Sequence, residues 1–417
     1  MSYTEEYRAV LTRINEDNPN VRGLRYFMNT VARWHANFDQ DLASPEVVVL
    51  GNGIPEQLIF ACNVAPYHLL GGSHASCQWS DDVVPRDSDP VSRSILGHAL
   101  RLAERTDIDP LFVVPTANDN MRKIAYLLKR GGSAVLPVDI PSVGTSAATQ
   151  LRWEHAAETL VSTVSRHVGT RATARSLRRA DELVGTARAA MVDFQNTCTA
   201  CEGALGGEAR LLVLHSYYMA EDLAEWTAML NELSAEVRKR HAAMRSQAGP
   251  RSRILVIGSP ILFPQYKVPS LIHDAGMHLL TTVDAASTSR YASLTARERT
   301  GNRRRLVHAI ARKHYPLDAS SAHVVNHAME QYVQYLISNM EVEGIVCHIL
   351  KGQIEYDFLL GRLEPLFERH DIPVFRLETD YQYQDVEQLR IRLEAFAEML
   401  QQRAFVTGQA NARRHCA

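Results

Sequence analysis

Four short loops hold most of the side chains that could do chemistry. They read Pro85-Arg86-Asp87-Ser88-Asp89-Pro90, Pro115-Thr116-Ala117-Asn118-Asp119-Asn120, Gly258-Ser259-Pro260 with Pro264-Gln265-Tyr266-Lys267, and Lys351-Gly352-Gln353-Ile354-Glu355-Tyr356-Asp357. Carboxylates, amides, a hydroxyl and ammonium groups can bind water, a cation or a polar ligand. The same residue types also fix turns and cap helices, so each loop alone has a local explanation. Taken as a set they suggest a ligand cleft, because loops that follow parallel strands gather beyond the strands' carboxyl ends. Asp89, Asn118, Asp119, Ser259, Lys351 and Gln353 are the candidate lining residues. Lys351 is expected to balance Asp89 or to hold an anionic ligand. No catalytic residue can be singled out.

The elements that must position these loops are short apolar runs separated by helical stretches. Glu46–Leu50, Leu111–Val114 and Ala134–Val138 form a first series; Arg253–Ile257, Leu279–Val283, Gly344–Leu350 and Val374–Leu377 form a second. Such β-branched runs between helices predict parallel sheets buried on both faces. The expected fold is α/β, with two Rossmann-like parallel-sheet domains. An N-terminal helical segment (residues 1–44) precedes the first domain (45–146). A helical segment (147–248), with a possible short strand at Leu211–Leu214, precedes the second domain (249–405), and a frayed tail (406–417) ends the chain. Asp385 and Gln388 read as a capping box for the last helix.

The composition narrows the function. The chain has 417 residues and a formal net charge of -2. That balance gives no broad basic footprint for nucleic acid or an anionic membrane surface. No apolar run is long enough to span a bilayer. The opening MSYTEEYRAV has no cationic stretch followed by an apolar one, so no signal peptide is expected and a cytoplasmic location is the default. The six cysteines are scattered, which favours reduced thiols or metal ligands over disulfides.

Other motifs are weaker. Gly258-Ser259-Pro260 is not a dinucleotide-binding fingerprint, and there is no Walker A sequence. Cys198 and Cys201 have CxxC spacing without a second pair, so two helix cysteines are a better reading than a zinc site. Arg303-Arg304-Arg305 is expected on a solvated helix face, with an outside role in meeting the phosphates of a ligand such as CoA.

Several stretches resemble one known family. VFRLETDYQYQDVEQLRIRLEAFAEML (374–400) and GIVCHILKGQIEYDF (344–358) resemble the C-terminal signature of 2-hydroxyacyl-CoA dehydratase and benzoyl-CoA reductase subunits. ILVIGSPILFPQYKVPSLIHDAG (254–276) resembles the start of that family's second domain. PRDSDPVSRSILG (85–97) and VVPTANDNMRKIAYL (113–127) resemble two loops of its first. The likeness runs in order from about residue 45 to 403.

The resemblance implies lyase-type chemistry and pairing with an identical or related subunit. In active members a [4Fe–4S] cluster sits between the domains on three cysteines, and a separate ATP-dependent activator supplies one electron for radical dehydration of an acyl-CoA. Carried over to this chain, the three ligand positions hold Asp89, Asn118 and Gln353. These are hard oxygen or amide donors, poor substitutes for thiolates. His273 and Ala286 are further departures, where the family often has an acidic residue and a cysteine; His273 joins the candidate pocket. Cys62, Cys77 and Cys347 are the fallback ligands if a cluster is kept. Three readings stay open: a cluster-free subunit of a homodimer or heterodimer, a cleft reused for other catalysis or for binding an acyl thioester or other small molecule, and a cluster on unusual ligands. A non-enzymatic acyl-thioester-binding or scaffold protein is the contrasting class.

Overall fold

The structure is a computed structural model that describes residues 1–141, 146–244, 251–284, 286, 300–314 and 327–415. Its frame is two four-stranded parallel sheets. The first contains β1 (Val47–Leu50), β2 (Tyr67–Leu69), β3 (Leu111–Pro115) and β4 (Val135–Val138), in the order β2-β1-β3-β4. The second contains β5 (Arg253–Gly258), β6 (His278–Val283), β7 (Gly344–Leu350) and β8 (Val374–Thr379), in the order β6-β5-β7-β8. Every strand pairing is parallel.

Strand periodicity explains how each sheet finds cover on both faces. Successive side chains point to opposite sides. Val48 and Leu50 of β1, with Ile254 and Val256 of β5, enter one central core shared by the two sheets. The helices Tyr3–Asp17, Leu24–Asp39 and Leu223–Ala243 complete that core. Val47 and Val49 face the opposite way, onto the helices Ala147–His167 and Arg303–His314. Leu255 and Ile257 face the helices His327–Asn339 and Ile354–Arg369.

Some local expectations are corrected. Leu211–Leu214 lie in a helix, Gly207–His215, in which every residue from Glu208 onward is buried. Four consecutive apolar residues cannot tell a strand from an all-round buried helix. β2 has only three residues, too few to show a period. Asp385 does not complete a capping box: its carboxylate accepts from Lys267 Nζ at 2.8 Å and Thr379 Oγ1 at 2.6 Å. The last helix continues from Val386 to His415, through the stretch expected to be a frayed tail. The expected solvated face is present: Arg304 and Arg305 are exposed on the helix Arg303–His314. Arg303 Nε donates to Ala172 O at 3.0 Å and Arg304 Nε to Glu158 at 2.8 Å. Among the described residues no helix is long and apolar enough to cross a membrane.

Candidate functional site

Both sheets reverse strand order in their middle, between β1 and β3 and between β5 and β7. Loops leaving neighbouring strands in opposite directions open a crevice at such a point. Here the two crevices face each other and form one cavity of about 120 Å³. Seven of the eight strands send a residue into its wall from their carboxyl ends, β8 being the exception. Leu50, Leu70, Ile95, Met121, Ile140 and Leu262 make the aliphatic part of the wall, and Asn52, Asp89, Asn118, Gln353 and Glu355 supply polar groups.

Asp89 is the hub. It is 3% exposed and caps the helix Pro90–Ala103. Its carboxylate accepts from Val91 N and Ser92 N, both at 3.1 Å, and from the Ser92 hydroxyl. Proline at the first helical position suits this start, since its missing N–H would have no helical partner. The fourth donor comes from the other domain: Gln353 Nε2 donates to Asp89 Oδ1 at 2.7 Å. Burial raises the Asp89 pKa above the usual carboxylate range, and the hydrogen bonds pull the other way.

Two glycines allow the domains to come this close. Gly352 has φ +84°, and a Cβ there would lie 3.1 Å from Asp89 N. Gly72 has φ +96°, and a Cβ there would lie 2.5 Å from Phe263 O. Both positions need a residue that tolerates left-handed backbone and has no side chain to clash.

Asn118 caps the helix Asp119–Arg130 by accepting from Met121 N at 3.0 Å, and it too lines the cavity. Pocket lining and helix capping, alternatives in the sequence, are therefore joined in Asp89 and Asn118. The other candidates lie elsewhere. Lys351 pairs with Asp380 at 3.1 Å and does not line the cavity or meet Asp89. Asp119 is exposed beside Arg122. Ser259 is a buried brace, its Oγ accepting from Leu350 N at 2.8 Å. His273 sits on the helix Lys267–Asp274, 4.0 Å from Asp17. Glu355 and Tyr356 line the cavity but were not singled out in the sequence. The clue was available: they fall in the first helical turn after Gln353, one of the three positions that the family resemblance marked.

The donors present do not suit a thiolate-held iron–sulfur cluster. The described lining residues include no cysteine. Cys62 is packed behind the first sheet and Cys347 behind the second. Cys77 lies between the domains with Leu350 and Tyr381; its Sγ donates to Ser73 O and Pro90 O, each at 3.3 Å, and burial pushes its pKa up to about 12. These three thiols sit in three separate apolar clusters, so they cannot ligate one cluster together. Cys198 and Cys201 are buried in the central core. Among the described residues no group of three or more histidines, cysteines or carboxylates could hold a metal ion.

Comparison with known proteins fits this architecture. The chain is 24% identical over 353 residues to the putative dehydratase subunit YjiM of Escherichia coli (strain K12), covering 83% of this chain and 89% of that protein. It is 24% identical over 235 residues to the (R)-phenyllactyl-CoA dehydratase beta subunit of Clostridium sporogenes, covering 56% of this chain and 59% of that protein. The family profile of the 2-hydroxyglutaryl-CoA dehydratase D-component matches residues 52–400, from the loop after β1 into the last helix. The chain belongs to this dehydratase family.

Proposed function

We propose that this chain is a dehydratase-family subunit that binds an acyl thioester in the cavity between its two sheets, without an iron–sulfur cluster of its own. The observation that carries this reading is the cavity itself. It stands at the switch points of both sheets, with an aliphatic wall and a polar base formed by Asp89, Asn118 and Gln353. Ligand sites of this type combine apolar lining with a few placed polar groups. Thiols are missing from the described lining, which argues against radical chemistry in this chain alone. The two relatives are both named as subunits. A cluster-bearing partner, reduced by a separate activator, is the natural seat of the redox step. A homodimer that binds thioesters without turnover is the second arrangement, supported by a described cavity wall drawn from both of this chain's own sheets.

The test is titration calorimetry of the purified chain with butyryl-CoA, beside affinity purification from the native host under anaerobic conditions. Saturable binding at one site per chain is expected. It should weaken at least about tenfold in Asn118→Leu, which puts an apolar group where the polar base stands. Failure of a folded protein to bind any acyl-CoA would contradict the reading.

A further inference from the structure

This inference rests on the acyl-thioester reading and concerns which acyl groups the cavity accepts. We propose that the cavity selects small, uncharged acyl groups, and that Glu355 is the residue that turns away acyl groups ending in a carboxylate.

Two carboxylates share the wall. Asp89 comes from the first domain and is 3% exposed; Glu355 comes from the first turn of the helix Ile354–Arg369 in the second domain and is half-buried. The described lining residues include no lysine, arginine or histidine to offset them. The nearby Lys351 is turned to Asp380 instead. Asp89 is satisfied by dipoles, from two backbone N–H groups, one hydroxyl and one amide. A third carboxylate entering with a ligand would meet two like charges in a partly desolvated space, where repulsion is far less screened than in water. The two wall carboxylates already feel each other: burial raises the Glu355 pKa first, and the charge of Asp89 raises it further.

Glu355 is better suited than Asp89 to discriminate. The Asp89 oxygens are committed to the helix N-terminus and to Gln353. Glu355 stands on the first turn of its own helix, half-buried in the cavity wall. The size limit comes from the cavity volume. About 120 Å³ is available. A dry protein cavity of about 150 Å³ accepts benzene. The acyl group is therefore limited to about six non-hydrogen atoms by the same comparison. Leu50, Leu70, Ile95 and Leu262 suit a short aliphatic chain.

The experiment compares butyryl-CoA, malonyl-CoA and 3-phenylpropionyl-CoA by titration calorimetry on the wild-type chain, Glu355→Gln and Glu355→Lys. All three thioesters share the CoA moiety, so the ratios report on the acyl end, and a malonyl group stays within the limit of about six non-hydrogen atoms. Butyryl-CoA should bind tightest, with malonyl-CoA at least about tenfold weaker through like-charge repulsion and 3-phenylpropionyl-CoA at least about tenfold weaker through its size. Relative to butyryl-CoA on the same variant, Glu355→Gln should narrow the malonyl gap several-fold, and Glu355→Lys should close or reverse it. Malonyl-CoA binding as tightly as butyryl-CoA would overturn the charge selection while leaving the acyl-thioester reading intact. An unchanged malonyl gap in both variants would take the role away from Glu355. Equal binding of 3-phenylpropionyl-CoA would overturn the size limit. Binding of none of the three would overturn the parent reading and this inference together.

Discussion

Two buried carboxylates near the ends of the first sheet's strands handle their charge in opposite ways. Glu56, in the loop after β1, is 3% exposed, the same as Asp89. Burial works against its charge, yet the Arg188 guanidinium at 2.6 Å overrides that penalty. His68 Nε2 lies 3.5 Å away and the Tyr217 hydroxyl donates to the same carboxylate. Glu56 is thus held well below the usual carboxylate range. Asp89 receives only dipoles, and burial wins, so its pKa rises. Glu56 pins the Ala174–Ala200 helix to the first domain and does not line the cavity. Asp89 does line it and joins the two domains. Equal burial therefore says little about role; the charge and position of the partner decide it.

The largest effect that could break this contrast is expected at Arg188. Arg188→Met leaves Glu56 buried without its counter-ion and should cost roughly 3–5 kcal/mol in urea denaturation. Adding Glu56→Gln should recover part of that loss. A cost below about 1 kcal/mol, the level of an exposed pair, would mean that Glu56 is not the structural pin described. Asp89→Ala should cost less, about 1–2 kcal/mol, as a lost helix cap does. It should also weaken acyl-thioester binding, because the Gln353 amide loses its acceptor. Asn118→Ala should cost about 1 kcal/mol or less through its cap alone. A drop several times larger would show that Asn118 carries more than Met121 N.

The finest distinction is a sign. The folded-state pKa of Glu56 is depressed, so its stabilisation is present above the unfolded carboxylate pKa and is lost as pH falls below it. The folded-state pKa of Asp89 is raised, so its contribution is fullest below the unfolded value and declines as pH rises through the raised one. Glu56→Gln should remove a stability increase with pH from the acid side, whereas Asp89→Asn should remove a decrease just above the usual carboxylate range. Denaturation curves measured from acid to neutral pH would read both slopes. Slopes of the same sign would erase the comparison.

Much of this was legible in the sequence, for identifiable reasons. Seven strands announced themselves because buried parallel strands are apolar runs bounded by turns. Asp89, Asn118 and Gln353 could be linked because each belongs to a loop that follows a strand or begins a helix. Their capping bonds could not be separated from ligand binding, since both need the same residue types. Lys351 was misjudged because two loops compete for it: Asp380 follows β8 and pairs with it before it can reach Asp89. Ser259 looked like a ligand group, but it spends its hydroxyl on the N–H of Leu350. The Glu56–Arg188 pair lies 132 residues apart with no local pattern, so only the fold reveals it.

The central proposal is that this chain carries an acyl-thioester cavity between its two sheets without an iron–sulfur cluster. The direct measurement is iron and acid-labile sulfide per chain in protein purified anaerobically, resolved from any partner subunit. The account predicts no stoichiometric iron or sulfide, and no change in either on Cys347→Ser. A brown chain with about four irons and four sulfides, the content of a thiolate-held cubane, would contradict it.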